Sequence, residues 1–340
     1  MLEKALYGSK RYYAWIGLLV VVILIGMIAY IRQFEYGLGL TGMSRDVSWG
    51  LYISQFTFMV GVAASAVMVA IPYYLHDHKV FGQIVILGEF LAVAAVIVCM
   101  LLVFVDMGQP TRFMNILLHP TPNSILFWDF MVLGGYLLLN LVIGWTVMGA
   151  EKKGAAPGGW VKVLTYIAIP WAVSIHTVTA FLYAGLPGRY YWLSAIMAAR
   201  FLSSAFAAGP ALLIILCLLL RKVSSFKTSV EAIQSLAKIV TYAMIANVFF
   251  FLLEVFTAFY SNIPGHMASL KYLFGGLDGH NNLVAFMWIA AFLAFAGITM
   301  LLIPKLRRNE KVLPLALIAV FIAAWLDKGI GLVLGGFVPN

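Results

Sequence analysis

Asp106, Asp129, His176 and Glu254 fall in, or at the end of, apolar runs long enough to cross a bilayer, and all four lie toward the same face of it. An ionisable group at the centre of a bilayer costs at least about 2.5 kcal/mol on insertion scales, so such groups are first read as ion, proton or ligand sites. Carboxylates and an imidazole at similar depth are the groups that could take and release protons beside a ligand, the imidazole near neutral pH.

Each has a plainer reading. His176, in Ser174-Ile175-His176-Thr177-Val178-Thr179, could simply tie two helices together. Asp106 closes its run, where a helix-end carboxylate can meet water. Asp129 follows Trp128 and has already entered an apolar stretch, which weakens the plain reading there. Arg112 and Arg45 lie in loops on the same side and could pair with these acids. Glu89 sits about a third of the way into its run from the opposite face; Glu254 and Asp327, the latter beside Lys328, occupy later runs. Each of the three is either a step on a proton path or a buried acid hydrogen-bonded to a neighbouring helix, and Glu89 is the stronger path candidate. Aromatic residues crowd the same interface as the first cluster. Most read as belt residues. Trp49, Tyr52 and Trp128 are the ones placed to meet a flat ligand.

These residues need a scaffold, and the composition names its class. Of 340 residues, 63% are hydrophobic and 10% charged, where a soluble domain carries about 25% charged residues. The apolar residues come in blocks of about 20, the length of a hydrocarbon core. Nine spans are predicted, near 14–34, 50–72, 81–105, 126–148, 160–183, 196–220, 237–260, 281–303 and 313–336: an all-α integral membrane protein. The first block is too long for a cleavable signal and lacks a small-residue cleavage site. The net charge of +9 does not point to nucleic acid, because 15 of the 22 Lys and Arg residues gather on one side, where they set topology. That side is expected to be the cytoplasm, placing the N-terminus inside and the loops after spans 1, 3, 5 and 7 outside, in a cytoplasmic (inner) membrane.

The loops after spans 3 and 7 are both long. An offset of four helices preserves orientation, so the pattern predicts a parallel repeat: spans 2–5 and 6–9 as two four-helix bundles plus an extra N-terminal helix. The units would be 1–49, 50–183 with the candidate site, and 184–340. Gly61 and Ser65 make a small-xxx-small pair suited to close packing. Gly209-Pro210 and Pro170 should bend their helices.

Several chemistries are absent. Cys99 and Cys217 are two thiols where an iron–sulfur cluster usually takes four. His76, His78, His119, His266 and His280 fall in loops or at span ends, so a bis-histidine haem is not expected within the membrane. No Walker loop, dinucleotide turn, HExxH or other metal-ligand spacing occurs.

The stretches Ser44-Arg-Asp-Val-Ser-Trp-Gly-Leu-Tyr52, Val105-Asp-Met-Gly-Gln-Pro110 and Ser124-Ile-Leu-Phe-Trp-Asp129, with His176, resemble the NrfD/polysulfide reductase membrane-subunit family over nearly the whole chain. The closest branch is the P subunit of the membrane complex associated with dissimilatory sulfite reduction, whose members often carry a tenth span. The resemblance implies two four-helix bundles and a menaquinone or menaquinol site in the first bundle near the outer face, lined or supported by Asp106, Trp128, Asp129 and His176. It implies no haem or iron–sulfur cluster in this chain. A periplasmic, ferredoxin-like iron–sulfur subunit would dock on the outer loops, with other membrane and cytochrome subunits completing a respiratory complex. The expected function is electron exchange between quinone and that partner, with proton uptake or release. The rival expectation is a secondary transporter of a small ion or metabolite, which parallel repeats and proline-broken helices also suit. Depth separates the two: acids displaced from the midplane toward one face favour an extrinsic partner.

Overall fold

In lipid every backbone N–H and C=O must find a partner within its own segment, so long apolar runs fold as helices. The computed structural model describes residues 7–76, 78–155, 158–224 and 226–338; Lys4, one of the cations counted above, lies outside them. Among the described residues nine helices are long and apolar enough to cross a membrane: Lys10–Tyr36, Leu51–Tyr74, Lys79–Asp106, Ile125–Lys152, Gly159–Ala184, Met197–Val223, Val230–Tyr260, Val284–Leu302 and Val312–Gly335. They are called spans 1 to 9.

Span 3 packs against spans 2 and 4, and span 4 against span 5. Span 6 packs against spans 7 and 9, and span 8 against spans 7 and 9. Span 6 also meets spans 2 and 5, and joins the two sets. Span 1 buries none of its apolar window within the chain. It is pinned near one end, where the Gln33 side chain donates to the Val105 carbonyl at 2.6 Å and accepts from the Tyr52 hydroxyl at 2.7 Å.

Span 2 is not continuous. Its helix runs Leu51–Val62, breaks at Ala63 and Ala64, and resumes over Ser65–Ala70. Gly209 of span 6 lies against that break: a Cβ on it would stand 2.9 Å from the Ser65 amide nitrogen and 3.1 Å from the Val62 carbonyl oxygen. Pro210 stands within the same helix. The small residues therefore serve helix contact, as their spacing predicts. Gly209→Ala should push two backbones apart at a cost of about 1–3 kcal/mol, read as a lower unfolding midpoint of the detergent-solubilised protein. An unchanged midpoint would mean that the helices are free to separate there.

The loops after spans 1, 3, 5 and 7 form one end of the molecule, called here the upper end. Trp49 stacks on Trp192 at 5.6 Å between ring centroids, and Trp192 donates to the Leu332 carbonyl at 2.8 Å. Arg189 donates to the Asp46 carbonyl at 2.8 Å. Two cations that fall inside predicted spans and were counted with the upper side on sequence grounds are buried: Arg200 in the helix of span 6 and Lys328 in span 9. Lys328 belongs to a π-helical stretch, Trp325–Gly331, a wide-turn geometry frequent at functional sites.

Candidate functional site

A cleft of about 600 Å³ opens between spans 3 and 4 beneath the loop joining them. Its volume is in the range of small-molecule sites. Ile97, Met100, Leu101 and Phe104 line it at helical spacing on span 3; Leu126, Asp129, Phe130 and Leu133 do so on span 4. Ile97, Leu101 and Leu126 are exposed at the perimeter of the helix bundle, so the cleft opens sideways toward lipid. The loop folds over the top through a 3₁₀ turn at Pro110–Arg112 and a single helical turn at Asn115–Leu118, and it contributes Met107, Arg112, Phe113, Asn115 and His119.

Asp129 is 2% exposed and forms the polar part of the inner wall. The Thr179 hydroxyl, on span 5, lies 2.5 Å from Asp129 Oδ1 and 2.8 Å from the Ile175 carbonyl. A hydroxyl has one hydrogen to give and two lone pairs to receive with. When Asp129 is ionised, Thr179 donates to it. When Asp129 is protonated, the carboxylic acid donates to Thr179, whose own hydrogen turns to Ile175. The carboxyl group thus keeps its partner in both protonation states, with no movement of heavy atoms.

Asp106 ends span 3 at the upper end, half-buried, and its Oδ1 has no hydrogen-bond partner among the described residues. His176 is fully buried in span 5, one turn below Thr179 on the same face, and neither ring nitrogen has a partner there. Its ring meets Phe206 of span 6 edge-on at 6.5 Å, so it faces the junction between the two helix sets and does not line the cleft.

Of the residues expected at the site, Asp129 and Arg112 line the cleft. Trp49, Tyr52 and Trp128 do not: Trp49 belongs to an aromatic cluster with Tyr183, Trp192 and Phe337, Tyr52 holds Gln33, and Trp128 is half-exposed and donates to the Pro122 carbonyl at 2.8 Å. Glu89 is buried in the middle of the first helix set, beside Tyr136, Asn140 and Thr165, with Oε2 unpartnered among the described residues. Asp129, Leu133, Tyr136 and Asn140 recur at helical spacing on the buried face of span 4, so the Glu89 cluster continues, deeper, the stripe that begins at Asp129.

Glu254 and Asp327 are elsewhere. Both receive hydrogen bonds from Arg200, Asp327 through both oxygens at 3.0 Å. With Arg200 they form an ion-paired triad in the second helix set, Arg200 and Glu254 buried and Asp327 partly so. Thr179 and the roof residues Asn115 and His119 were missed on sequence grounds. The spacing of His176 and Thr179, three apart in a helix, was the available signal for a shared face.

No group of three or more His, Cys, Asp or Glu side chains among the described residues could hold a metal ion. The arrangement is suited to an amphipathic ring that enters from lipid and exchanges a proton with a buried carboxyl.

Three relatives are similar to this chain in sequence. A putative dimethyl sulfoxide reductase membrane subunit of Halobacterium salinarum is 28% identical over 345 residues, covering 95% of this chain and 77% of that one. A selenate reductase subunit of Mesobacillus selenatarsenatis is 26% identical over 57% of this chain and 54% of its own length. An Hdr-like menaquinol oxidoreductase integral membrane subunit of Archaeoglobus fulgidus is 25% identical over 61% of this chain and 50% of its own. The chain thus spans about half the length of two of these relatives. Residues 39–334, from the loop after span 1 almost to the end of span 9, match the polysulphide reductase NrfD family, and the chain belongs to that family.

Proposed function

We propose that the chain is the quinone-interacting membrane subunit of a respiratory electron-transfer complex. The observation that carries this reading is the lateral cleft of about 600 Å³ with one buried carboxyl, Asp129, held by Thr179. Apolar walls on spans 3 and 4 suit an isoprenoid-tailed ring arriving within the bilayer, and a sideways mouth suits a lipid-borne substrate better than the axial passage a transporter needs. The relative named a menaquinol oxidoreductase subunit supports menaquinone as that ring.

Quinol oxidation releases two electrons and two protons, and the protein's part is to bind, orient and move the protons. Asp129 takes a proton from the ring hydroxyl and keeps Thr179 as its partner throughout. Asp106, with an unpartnered oxygen near the roof, is the second exchange group, and His176 is the next titratable group inward on span 5. Arg112 and His119 in the roof orient the ring. The stripe Asp129–Tyr136–Asn140 leads to Glu89 and supplies a proton route away from the upper end.

Electrons leave through the roof to a periplasmic iron–sulfur subunit seated on the upper loops. The excess of Lys and Arg on the opposite side, sharpened by the burial of Arg200 and Lys328, supports reading that upper end as outside by the positive-inside rule, in a cytoplasmic membrane with the N-terminus inside. Other membrane and cytochrome subunits complete the assembly, in keeping with sulfur-linked respiration.

Mild purification of the native complex tests this reading. An iron–sulfur subunit and extractable menaquinone, with the menaquinone lost and the subunit retained when Leu101 is enlarged to Trp to fill the cleft mouth, is the expected result. A monodisperse protein with neither partner nor quinone would overturn it.

A further inference from the structure

The second helix set contains its own side cleft, which the proposal above does not use. It measures about 280 Å³ and lies between spans 7, 8 and 9, capped by Phe274 at the end of the loop helix Pro264–Phe274. Its position mirrors that of the first cleft, four spans later: between spans 7 and 8 in place of 3 and 4, beneath the loop that joins them. Ala290, Ala291 and Ala294 hollow out the wall on span 8. Leu252 and Phe295, both largely exposed, form its outer rim, so it too opens sideways to lipid.

Two polar side chains, Asn247 and Asp327, interrupt its otherwise apolar lining. Asn247 is 3% exposed, and its Oδ1 has no hydrogen-bond partner among the described residues. A buried amide oxygen left without a donor costs about 1–3 kcal/mol, and here it borders a space large enough for a six-membered ring. Asp327 lines the same wall, with its carboxylate fixed from behind by Arg200 at 3.0 Å. An ionised carboxylate only accepts hydrogen bonds, so a molecule satisfying this wall must bring donors. At Asp327 and at Asn247 Oδ1 a ring carrying only carbonyl oxygens would turn acceptor toward acceptor.

We propose that this cleft is a second ligand site, which takes a hydroxyl-bearing aromatic ring, a hydroquinone or phenol with an apolar tail, from the bilayer. It stands on the geometry of spans 7 to 9 alone and holds whatever the first cleft binds. The ring lies among the alanines of span 8 and Phe251, its hydroxyls reach Asn247 and Asp327, and its tail leaves past Leu252 and Phe295. The smaller volume admits a single ring more readily than a fused pair.

Photolabelling tests the site on the purified full chain within its complex, using a decyl-tailed azidophenol with labelled peptides mapped by mass spectrometry. Label should appear on spans 7 to 9. Decyl-hydroquinone should suppress it about tenfold or more, while its dimethyl ether, with the same shape and no donors, should fail. Ala294→Trp, which fills the cleft, should remove this label and leave label on spans 3 and 4. Equal competition by the ether would show a slot for any apolar tail and overturn the proposal. So would the absence of label on spans 7 to 9 in the unmutated protein, a comparison that needs no variant to fold.

Discussion

Asp129→Asn in the assembled complex should lower quinol-dependent reduction of the partner by about 100-fold or more, the lower bound of what a positioned acid–base group contributes. The substitution keeps the size of the side chain and can still hydrogen-bond Thr179, so the helices should pack as before. What it removes is the ability to accept a proton from the ring. Substrate affinity should change little and the turnover number should carry the loss, the pattern for an interaction made in the transition state alone. Thr179→Val gives a smaller, graded effect, because the carboxyl group remains but loses the hydroxyl that serves both of its protonation states. Glu89→Gln, assayed alongside, should leave quinol affinity intact and slow proton movement, since Glu89 is buried apart from the cleft. Full activity of Asp129→Asn would remove the residue from the chemistry and leave the cleft a lipid slot.

The nine spans were legible because length and apolarity are local properties: each predicted range lies within several residues of the observed helix. The buried acids were legible for the same reason, since a charge inside an apolar run stands out without knowledge of its partners. What the partners do was not. Asp129 finds Thr179 on the next helix, and Arg200 reaches Glu254 and Asp327 on two different helices. Such pairings depend on how helices rotate against one another, and one chain's periodicity leaves that rotation open when every face is apolar. Arg200 and Lys328 fall inside predicted spans and were counted only as cations of the upper side; their burial depends on how neighbouring helices close over them. The break at Ala63–Ala64 and the π-helical stretch at Trp325–Gly331 carry no proline to announce them. Trp49 was legible as an interface aromatic, but not as the stacking partner of Trp192 across the upper end.

Arg200→Met should destabilise the folded protein by about 3–5 kcal/mol, the cost of breaking a buried ion pair from one side. Arg200 is 4% exposed, and it is the shared donor to Glu254 and Asp327. Removing it leaves two carboxylates without their shared partner, Glu254 buried and Asp327 partly buried, with Glu254 Oε1 already unpartnered among the described residues. Lys328 does not replace it: its ammonium lies over the Phe201 ring at 4.1 Å and has no hydrogen-bond partner there. The loss should appear as low yield in the membrane and early unfolding in detergent, measured by size exclusion and by a thermal ramp. Rescue separates charge from shape. Arg200→Met combined with Glu254→Gln and Asp327→Asn removes the stranded charges and should recover most of the stability, as neutral replacement of a buried ionic group often does. The rescued protein should still turn over quinol, because the triad lies in the helix set that the Asp129 cleft does not touch. If Arg200→Met alone is stable yet inactive, the triad belongs to the proton route, and Glu254 and Asp327 regain the role that their sequence positions first suggested.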